Sequence, residues 1–349
     1  MDNMHDERIS DPYRVLYIIA ALTIVIAGMR YATNIIVPML LAIFISIICS
    51  YPLNKMRLRG VSKNLSILIV IICVFIITLL LTFILGTSIG DFSDNMPLYQ
   101  SKMEELLTNL STKLQRFGID FDHTEWRQYF DPGVAFGFAE SLFKGLRSAL
   151  TNAFLIGLTV IFILIEIPVI DEEKMEKNLT SPSNFQIIIQ KIQHYFGIKT
   201  MTSLATGVAI TIWLLIIGVD YPVLWGLVAF LLNFVPNIGS IIAAIPAVLL
   251  ALLMNGMSIA MLTIAGFVAV NVTIGNVVEP RVMGQGLGLR MLVVFVSLVF
   301  WGWVLGPIGM LLAVPLTMTL KIMLKNYEQT RPFALMLEGA EENEAKQST

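Results

Sequence analysis

The sequence predicts an all-α, polytopic membrane protein with about eight spans and a small helical domain outside the membrane. Of its 349 residues, 56% are apolar and only 14% are charged, whereas about a quarter of the residues in an average soluble domain are charged. Apolar runs of roughly 20 residues recur along most of the chain, and a helix of that length crosses a hydrocarbon core about 30 Å thick. The runs are continuous and do not alternate apolar with polar residues, so they exclude a membrane β-barrel.

Several classes of function lack the residues that they need. The net charge of −2 gives no reason to expect a nucleic-acid partner. The sequence has no phosphate loop, no GxSxG and no HExxH, so we expect no ATPase subunit and no enzymatic activity. Cys49 and Cys73 lie inside apolar runs and the three histidines are far apart, so we expect no metal site and no cofactor.

Residues 1–90 are predicted to contain the first three spans. Apolar runs at 15–29 and 35–50 form a tight hairpin, and a third run covers 65–90. A cleaved signal peptide is the alternative for the first run, although the second run follows it almost at once. The loop after the second run carries four basic residues and no acid: Lys55, Arg57, Arg59 and Lys63. Such a loop is typical of the cytoplasmic side.

Residues 91–149 contain no spanning run and are predicted to form a helical extracytoplasmic domain. A first helix begins at residues 95–97 and a second at 131–132, each with a capping residue followed by proline. Each carries one apolar stripe at helical spacing. The first stripe is Tyr99, Met103, Leu106, Leu110, Leu114 and Phe117, and the second is Phe138, Leu142, Leu146 and Leu150. These stripes pack against each other, hold a neighbouring protomer, or belong to a substrate-binding domain.

Residues 150–199 are predicted to contain a fourth span, at 151–169, and a cytoplasmic helix in the membrane surface. The surface helix is indicated by an apolar stripe at helical spacing: Phe185, Ile188, Ile189, Ile192 and Phe196. An amphipathic helix of this kind lies in the interface plane. A fifth span at 200–218 then opens a membrane domain over 200–325.

Two stretches of the domain at 200–325 are too long and too interrupted to be simple spans. Residues 223–254 and 291–323 are each broken by glycine and proline, on either side of a span at 257–277. Each stretch is either one broken span or a re-entrant hairpin. Counting each stretch once places both termini in the cytoplasm, with residues 326–349 as a cytoplasmic tail.

The two interruptions resemble each other in sequence. Residues 236–246 and 307–315 share the pattern Pro-(x)-Ile-Gly-x3-Ala-(x)-[Ile/Val]-Pro, if two single-residue gaps are allowed. This similarity is either a coincidence or a pair of matching helix breaks in an internally repeated unit. Interrupted apolar segments in corresponding positions are the best sequence indication of a transporter's binding site.

Residues at and near the breaks are the candidate substrate-binding or gating groups. Proline removes an amide donor and glycine permits unusual backbone shapes, which frees polar backbone groups at membrane depth. An asparagine side chain offers donors and an acceptor to a small polyol, or it satisfies the broken backbone itself. The candidates are Asn233, Pro236, Asn237, Gly239, Asn271, Asn276, Pro307 and Gly309.

Three charged side chains stand in the otherwise uncharged stretch from residue 221 to 320, namely Glu279, Arg281 and Arg290. An isolated charge inside a membrane is costly. Glu279 therefore pairs with Arg281 or with a group on another helix, as a structural ion pair. The functional alternative is a gate, or a carboxylate that couples transport to a proton or a sodium ion.

Three segments resemble hallmarks of the autoinducer-2 exporter (AI-2E) family. They are NFVPNIGSIIAAIP at 233–246, GNVVEPRVMGQGLGL at 275–289 and FWGWVLGPIGMLLAVP at 300–315. Residues 36–44 and 130–133 also fit this family.

The resemblance implies a secondary transporter of the bacterial inner membrane that assembles as a homo-oligomer, a pentamer, in the lipid bilayer. It implies export of the small quorum-sensing signal autoinducer-2, with an effect on biofilm formation, and an elevator-like movement of the later spans. Other branches of the family are associated with sodium(lithium)/proton exchange, which is the alternative function. A non-transporting membrane scaffold built around residues 91–149 is the second alternative.

Overall fold

The computed structural model describes residues 12–116, 137, 144, 152–166, 184–236, 239–283 and 289–337. The elements in these ranges are α1 Pro12–Tyr31, α2 Thr33–Leu58, α3 Lys63–Asp94, α4 Met96–Arg116, α5 Ala153–Glu166, α6 Asn184–Ile217, α7 Pro222–Leu232, α8 Gly239–Asn255, α9 Met257–Asn271, α10 Glu279–Met283, α11 Met291–Leu305, α12 Pro307–Lys325 and α13 Arg331–Leu337. A π-helical segment, Val272–Val278, joins α9 to α10.

The described helices confirm the all-α membrane fold. Five are long and apolar enough to cross a membrane: α2, α3, most of α6, the rod Met257–Met283 and α12. Shorter apolar helices accompany them, namely α5, α7, α8, α11 and the later part of α1. The division of the chain into domains stays a prediction, and only Gly137 and Lys144 of the predicted second outer helix are among the described residues.

The structure differs from the prediction at the surface helix and the fifth span, which form the single helix α6. Ile188, Ile192 and Phe196 are buried in a cluster with Phe44 of α2 and Leu312 of α12, so protein covers this part of the stripe. An amphipathic stripe predicts only that one face of a helix is covered. Whether lipid or protein covers that face depends on neighbours that are distant in the sequence.

Each broken stretch folds into a helical hairpin. The arms α11 and α12 meet at Gly306, whose φ of +74° lies in the left-handed region that glycine adopts readily. At both hairpins a glycine lies so close to the preceding arm that a Cβ would overlap a backbone carbonyl oxygen. Gly239 contacts Leu232 O in this way, and Gly309 contacts Trp301 O. The similarity between the two sequence segments thus corresponds to matching close turns.

The first hairpin begins and ends at the end of the bundle where α4 starts. Tyr221, just before α7, is within hydrogen-bond distance of Asn95 Nδ2 and Tyr99 Oη, at 3.0 and 3.2 Å. Asn255, at the end of α8, donates to Gly218 O at 3.3 Å. With 11 residues, α7 reaches only about 16 Å, about half of the hydrocarbon thickness. This length fits a re-entrant hairpin.

The second hairpin begins and ends at the opposite end of the bundle. Leu289, just before α11, and Ile322, late in α12, pack on the cluster that contains Ile188 and Ile192 near the start of α6. The first break meets this hairpin inside the bundle, where Val235 packs with Leu298 of α11 and Ala313 of α12. The two hairpins therefore enter from opposite ends and contact each other between those ends.

Glycines allow α6 to pack closely against α7 and α9. A Cβ on Gly226 would overlap the side chain of Thr211 and lie 2.6 Å from Gly207 O. A Cβ on Gly266 would overlap the indole of Trp213, whose Nε1 donates to Leu262 O at 3.0 Å. Such small-residue contacts are the usual means by which membrane helices approach each other. They place α6 at the centre of the described membrane part.

The outer helix α4 packs onto its own chain. Tyr99 is 2% exposed, and Met103 and Leu106 pack on the core cluster that contains Ala243 and Ala247 of α8. The first part of the predicted stripe is thus an intramolecular contact. The side chains of Leu110 and Leu114 lie outside the described residues.

Replacing Gly239 with alanine should destabilise the fold, because the new methyl group would overlap Leu232 O, a backbone atom that cannot rotate away. We expect a loss of about 1–3 kcal/mol, measured by thermal unfolding in detergent. Gly157→Ala is the matched control, since a Cβ there meets nothing within 4 Å. The control should be neutral or stabilising by up to about 1 kcal/mol. Equal stability of the two variants would contradict the close turn.

Candidate functional site

Buried polar side chains line one face of α6. Tyr195, Lys199, Thr202, Ser203 and Thr206 are each at most 3% exposed, and their spacing of three or four residues places them along one stripe. Polar groups inside a membrane-spanning helix are costly unless neighbouring helices provide partners. The described partners come from the first hairpin and from the rod of α9 and α10. The stripe, its partners Asn233 and Glu279, and the hydrogen-bonded pair Ser240–Asn271 are together called the polar seam below.

The charged end of the polar seam is a buried ion pair between α6 and α10. Lys199 Nζ lies 2.6 Å from Glu279 Oε1, and the two side chains are 3% and 14% exposed. Thr202 Oγ1 lies within hydrogen-bond distance of the other carboxylate oxygen, at 3.4 Å. The sequence left either Arg281 or a group on another helix as the partner of Glu279, and the structure shows the second. Arg281 and Arg290 are both exposed.

Two hydrogen bonds connect the first hairpin to the helices beside it. Asn233 Nδ2, in the break, donates to Ser203 Oγ of α6 at 3.0 Å. Asn271 Nδ2, at the end of α9, donates to Ser240 Oγ at the start of α8. In both bonds the asparagine binds a serine hydroxyl and not a freed backbone group. Asn233 thus holds the first hairpin to α6, and Asn271 holds it to α9.

The π-helical segment Val272–Val278 separates Asn271 from Glu279. Stretches of π-helix are rare and occur frequently at functional sites, where they change the direction of the side chains that follow. Here both flanking residues reach the polar seam, whereas Asn276, inside the segment, is exposed. The segment places Glu279 where it meets α6.

The remaining predicted site residues are not brought into the polar seam. Pro236 lies half-buried in the first break, and Asn237 lies outside the described residues. Pro307 is exposed at the start of α12, while Gly309 is buried at the turn of the second hairpin. The contact described between the first break and the second hairpin is apolar and runs through Val235, Leu298 and Ala313. A direct role of any of these residues in binding stays a prediction.

Sequence reasoning missed the α6 half of the site. Lys199 is the last residue of the segment 150–199, which is predicted to precede the fifth span. Its partner Glu279 lies 80 positions away in the sequence. A signal was available nevertheless, because Tyr195, Lys199, Thr202 and Thr206 follow one another at helical spacing along a span. One polar face on an otherwise apolar spanning helix indicates a protein-facing or water-facing side.

Comparisons with known proteins decide the family. The profile of the AI-2E family transporters matches residues 18–329, which include every residue of the polar seam. The chain belongs to the AI-2E transporter family. The "AI-2 transport protein TqsA" of Escherichia coli K12 is 37% identical over 327 residues, covering 93% of this chain and 95% of its own.

Other AI-2E relatives carry less specific names. A "putative transport protein" of Haemophilus influenzae is 38% identical over 339 residues, covering 95% of this chain and 97% of its own. The "putative transport protein YhhT" of E. coli is 35% identical over 327 residues, covering 93% of both chains. These names support transport as the general activity of this AI-2E protein.

Neutralising only one member of the Lys199–Glu279 pair should destabilise the protein. Breaking a buried pair leaves an uncompensated charge and costs about 3–5 kcal/mol. We expect Glu279→Gln to lower the thermal-unfolding temperature and the double variant Glu279→Gln, Lys199→Gln to recover most of the loss. The matched comparison is Glu279→Gln, Arg281→Gln, which should recover little. If the thermal-unfolding temperature recovered only in the variant with Arg281→Gln, Arg281 and not Lys199 would be the partner of Glu279.

Proposed function

We propose that this AI-2E transporter is a secondary carrier that exports autoinducer-2, a small neutral polyol-like signal. The relative named as an AI-2 transport protein supports the substrate, since it covers nearly the whole chain at 37% identity. The absence of a phosphate loop from the sequence supports a carrier that does not hydrolyse ATP itself. Export would lower the internal level of the signal and so affect quorum sensing and biofilm formation.

The polar seam is the observation that carries this proposal. Its two charged side chains, Lys199 and Glu279, form an ion pair with each other. The other side chains are neutral hydroxyl and amide groups, which can both donate and accept hydrogen bonds. Such groups suit a solute with several hydroxyls and no net charge. The seam also lies where an interrupted segment crosses α6, the position at which transporters bind their substrates.

We propose an elevator-like movement of the two hairpins with α6 and α9. Buried residues of α2, α3 and α5 form a cluster of their own, which includes Ala42, Val70 and Val160. The first hairpin, α6 and α9 share another cluster. These two groups of helices would provide a fixed part and a moving part. They also contact each other, since α3 and α4 contribute to the second cluster and Phe44 of α2 packs in a cluster with α6 and α12.

A sodium(lithium)/proton antiporter is the second candidate, because Glu279 is a carboxylate largely buried among membrane helices. Such carboxylates are functional candidates by default. In this case the ion itself would be the transported species, and the neutral part of the polar seam would serve the structure only.

Transport in reconstituted vesicles tests the proposal. Wild-type protein should move autoinducer-2 across the membrane without a requirement for sodium. Asn271→Ala should weaken binding by about 1–3 kcal/mol, roughly five- to 150-fold, if this amide contacts the substrate. The matched control Asn255→Ala removes an exposed amide at the far end of α8 and should leave transport unchanged.

The same vesicles separate the candidate functions. Sodium-driven pH change without signal flux would favour the antiporter. Vesicles that show neither activity would favour a non-transporting scaffold. Equal transport by the Asn271 and Asn255 variants would remove the polar seam from the substrate path while leaving export itself intact.

We further propose a protein of the bacterial inner membrane with both termini in the cytoplasm, assembled as a homo-oligomer. The four basic residues at 55–63 support this orientation, since short cytoplasmic loops are rich in Lys and Arg. The pentameric state rests on the family resemblance alone.

Orientation can be measured by labelling single cysteines in intact cells. In a background without Cys49 and Cys73, a cysteine at the exposed Asn109 of α4 should react with a membrane-impermeant reagent. A cysteine at the exposed Lys55 should react only after the membrane is permeabilised. The reverse pattern would invert the proposed topology.

A further inference from the structure

The Lys199–Glu279 pair has a feature that a purely structural ion pair does not need. Tyr195 precedes Lys199 by one helical turn on the same face of α6 and is 2% exposed. Its hydroxyl is fully buried and has no hydrogen-bond partner among the described residues. A buried hydroxyl without a partner is costly, so this oxygen is an acceptor that stays unused while Lys199 binds Glu279.

We propose that Glu279 is a proton-binding site and that proton uptake there releases Lys199 from α10 to the hydroxyl of Tyr195, which opens the polar seam. A proton from water adds to a carboxylate oxygen of Glu279 and makes the carboxyl neutral. Lys199 remains an ammonium and exchanges one acceptor for another on its own helix. With the only described ionic contact between α6 and α10 lost, the two elements separate.

The surroundings of Glu279 favour a proton over a metal cation. A hard metal ion needs several oxygen ligands, whereas the described contacts of this carboxylate are the Lys199 ammonium and the hydroxyl of Thr202. The ammonium already occupies the position where a cation would bind. A proton needs only one carboxylate oxygen, and Glu279 can accept it without rebuilding the site.

Glu279 is also the one acid on the described helices that pack most extensively against α6. The described elements against α6 are α2, α7, α9, α10, α12 and the π-helical segment, and none of them carries another Asp or Glu. Their other titratable or charged groups, with those of α6 itself, are Cys49, Tyr51, Lys55, Arg57, Lys191, His194, Tyr195, Arg281, Lys321 and Lys325. Of these, His194 is exposed.

This inference deepens the proposed function, since it supplies the ion that would drive export. Proton binding by the pair does not require the substrate, however, so this inference can be tested without it. Thr206 is a suitable reporter, because it lies further along the same face and is 3% exposed. Among the described residues its hydroxyl bonds only the Thr202 carbonyl of its own helix.

The experiment measures the labelling rate of Thr206→Cys by a small water-soluble thiol reagent, in full-length protein without Cys49 and Cys73. Because only the thiolate reacts, the rate at each pH is divided by that of a free small-molecule thiol, and this normalised rate is the quantity compared. As the pH falls, the rate should rise at least about tenfold, because neutralising one member of a buried pair strongly destabilises the paired state. Glu279→Gln should label fast at every pH. The matched control His194→Gln should keep the full pH dependence.

Tyr195→Phe removes the second acceptor and should move the pH midpoint of labelling downward, since the released ammonium then has no partner. A merely structural tyrosine would leave that midpoint unchanged, and this result would remove Tyr195 from the proposal. If Glu279→Gln does not fold, Glu279→Gln with Lys199→Gln should label at a rate independent of pH.

Labelling that does not depend on pH in the otherwise wild-type reporter would overturn the inference, as would pH dependence that persists in Glu279→Gln. Neither result requires transport. A protein that labels as expected but carries no signal would instead contradict the proposed export, so the two proposals fail separately.

Discussion

The structure depends on one constraint, which is that the polar face of α6 must be satisfied inside a hydrocarbon environment. Water is absent there, and each unsatisfied polar group costs several kcal/mol. Lys199 and Ser203 on this face therefore require partners from other helices, and they find them in Glu279 and Asn233. A helix that carried such a face towards lipid would be unstable. The position of α6 at the centre of the described bundle follows from this requirement.

The same constraint explains the two hairpins and their glycines. A break in a membrane helix frees backbone groups, which are tolerated only where protein or water covers them. Gly239 and Gly309 let each hairpin close tightly at its break, and Val235 brings the first break against the second hairpin. Gly207 and Gly226 let α6 and α7 approach until backbone meets side chain. Close packing thus covers the breaks and also places Asn233 next to the polar face of α6.

The sequence was sufficient for features whose signal is local. Apolar runs predicted the membrane helices, and glycine with proline predicted both breaks at 235–240 and 305–309. It was insufficient where the outcome depends on a distant neighbour. The stripe from Ile188 to Phe196 indicated a covered face but not that α2 and α12 cover it. Glu279 indicated an ion pair, but Arg281, two positions away, was the visible partner, and Lys199 lies 80 positions away. Only the crossing of two helices brings that pair together.

A paired charge beside neutral hydroxyls has a consequence for how such a site can work. While Lys199 and Glu279 remain in contact, the polar seam presents no net charge, so a neutral solute meets no electrostatic penalty there. A buried pair contributes little net stability compared with apolar packing, because removing two charges from water offsets most of their attraction. Its presence is therefore easier to explain by switching than by stability. The hydroxyl of Tyr195, which has no partner among the described residues, favours the same interpretation, since its cost in the paired state is relieved when the ammonium moves. Protonation of Glu279 then replaces the Lys199–Glu279 ion pair by a hydrogen bond from Lys199 to Tyr195. Loss of that one proton restores the ion pair.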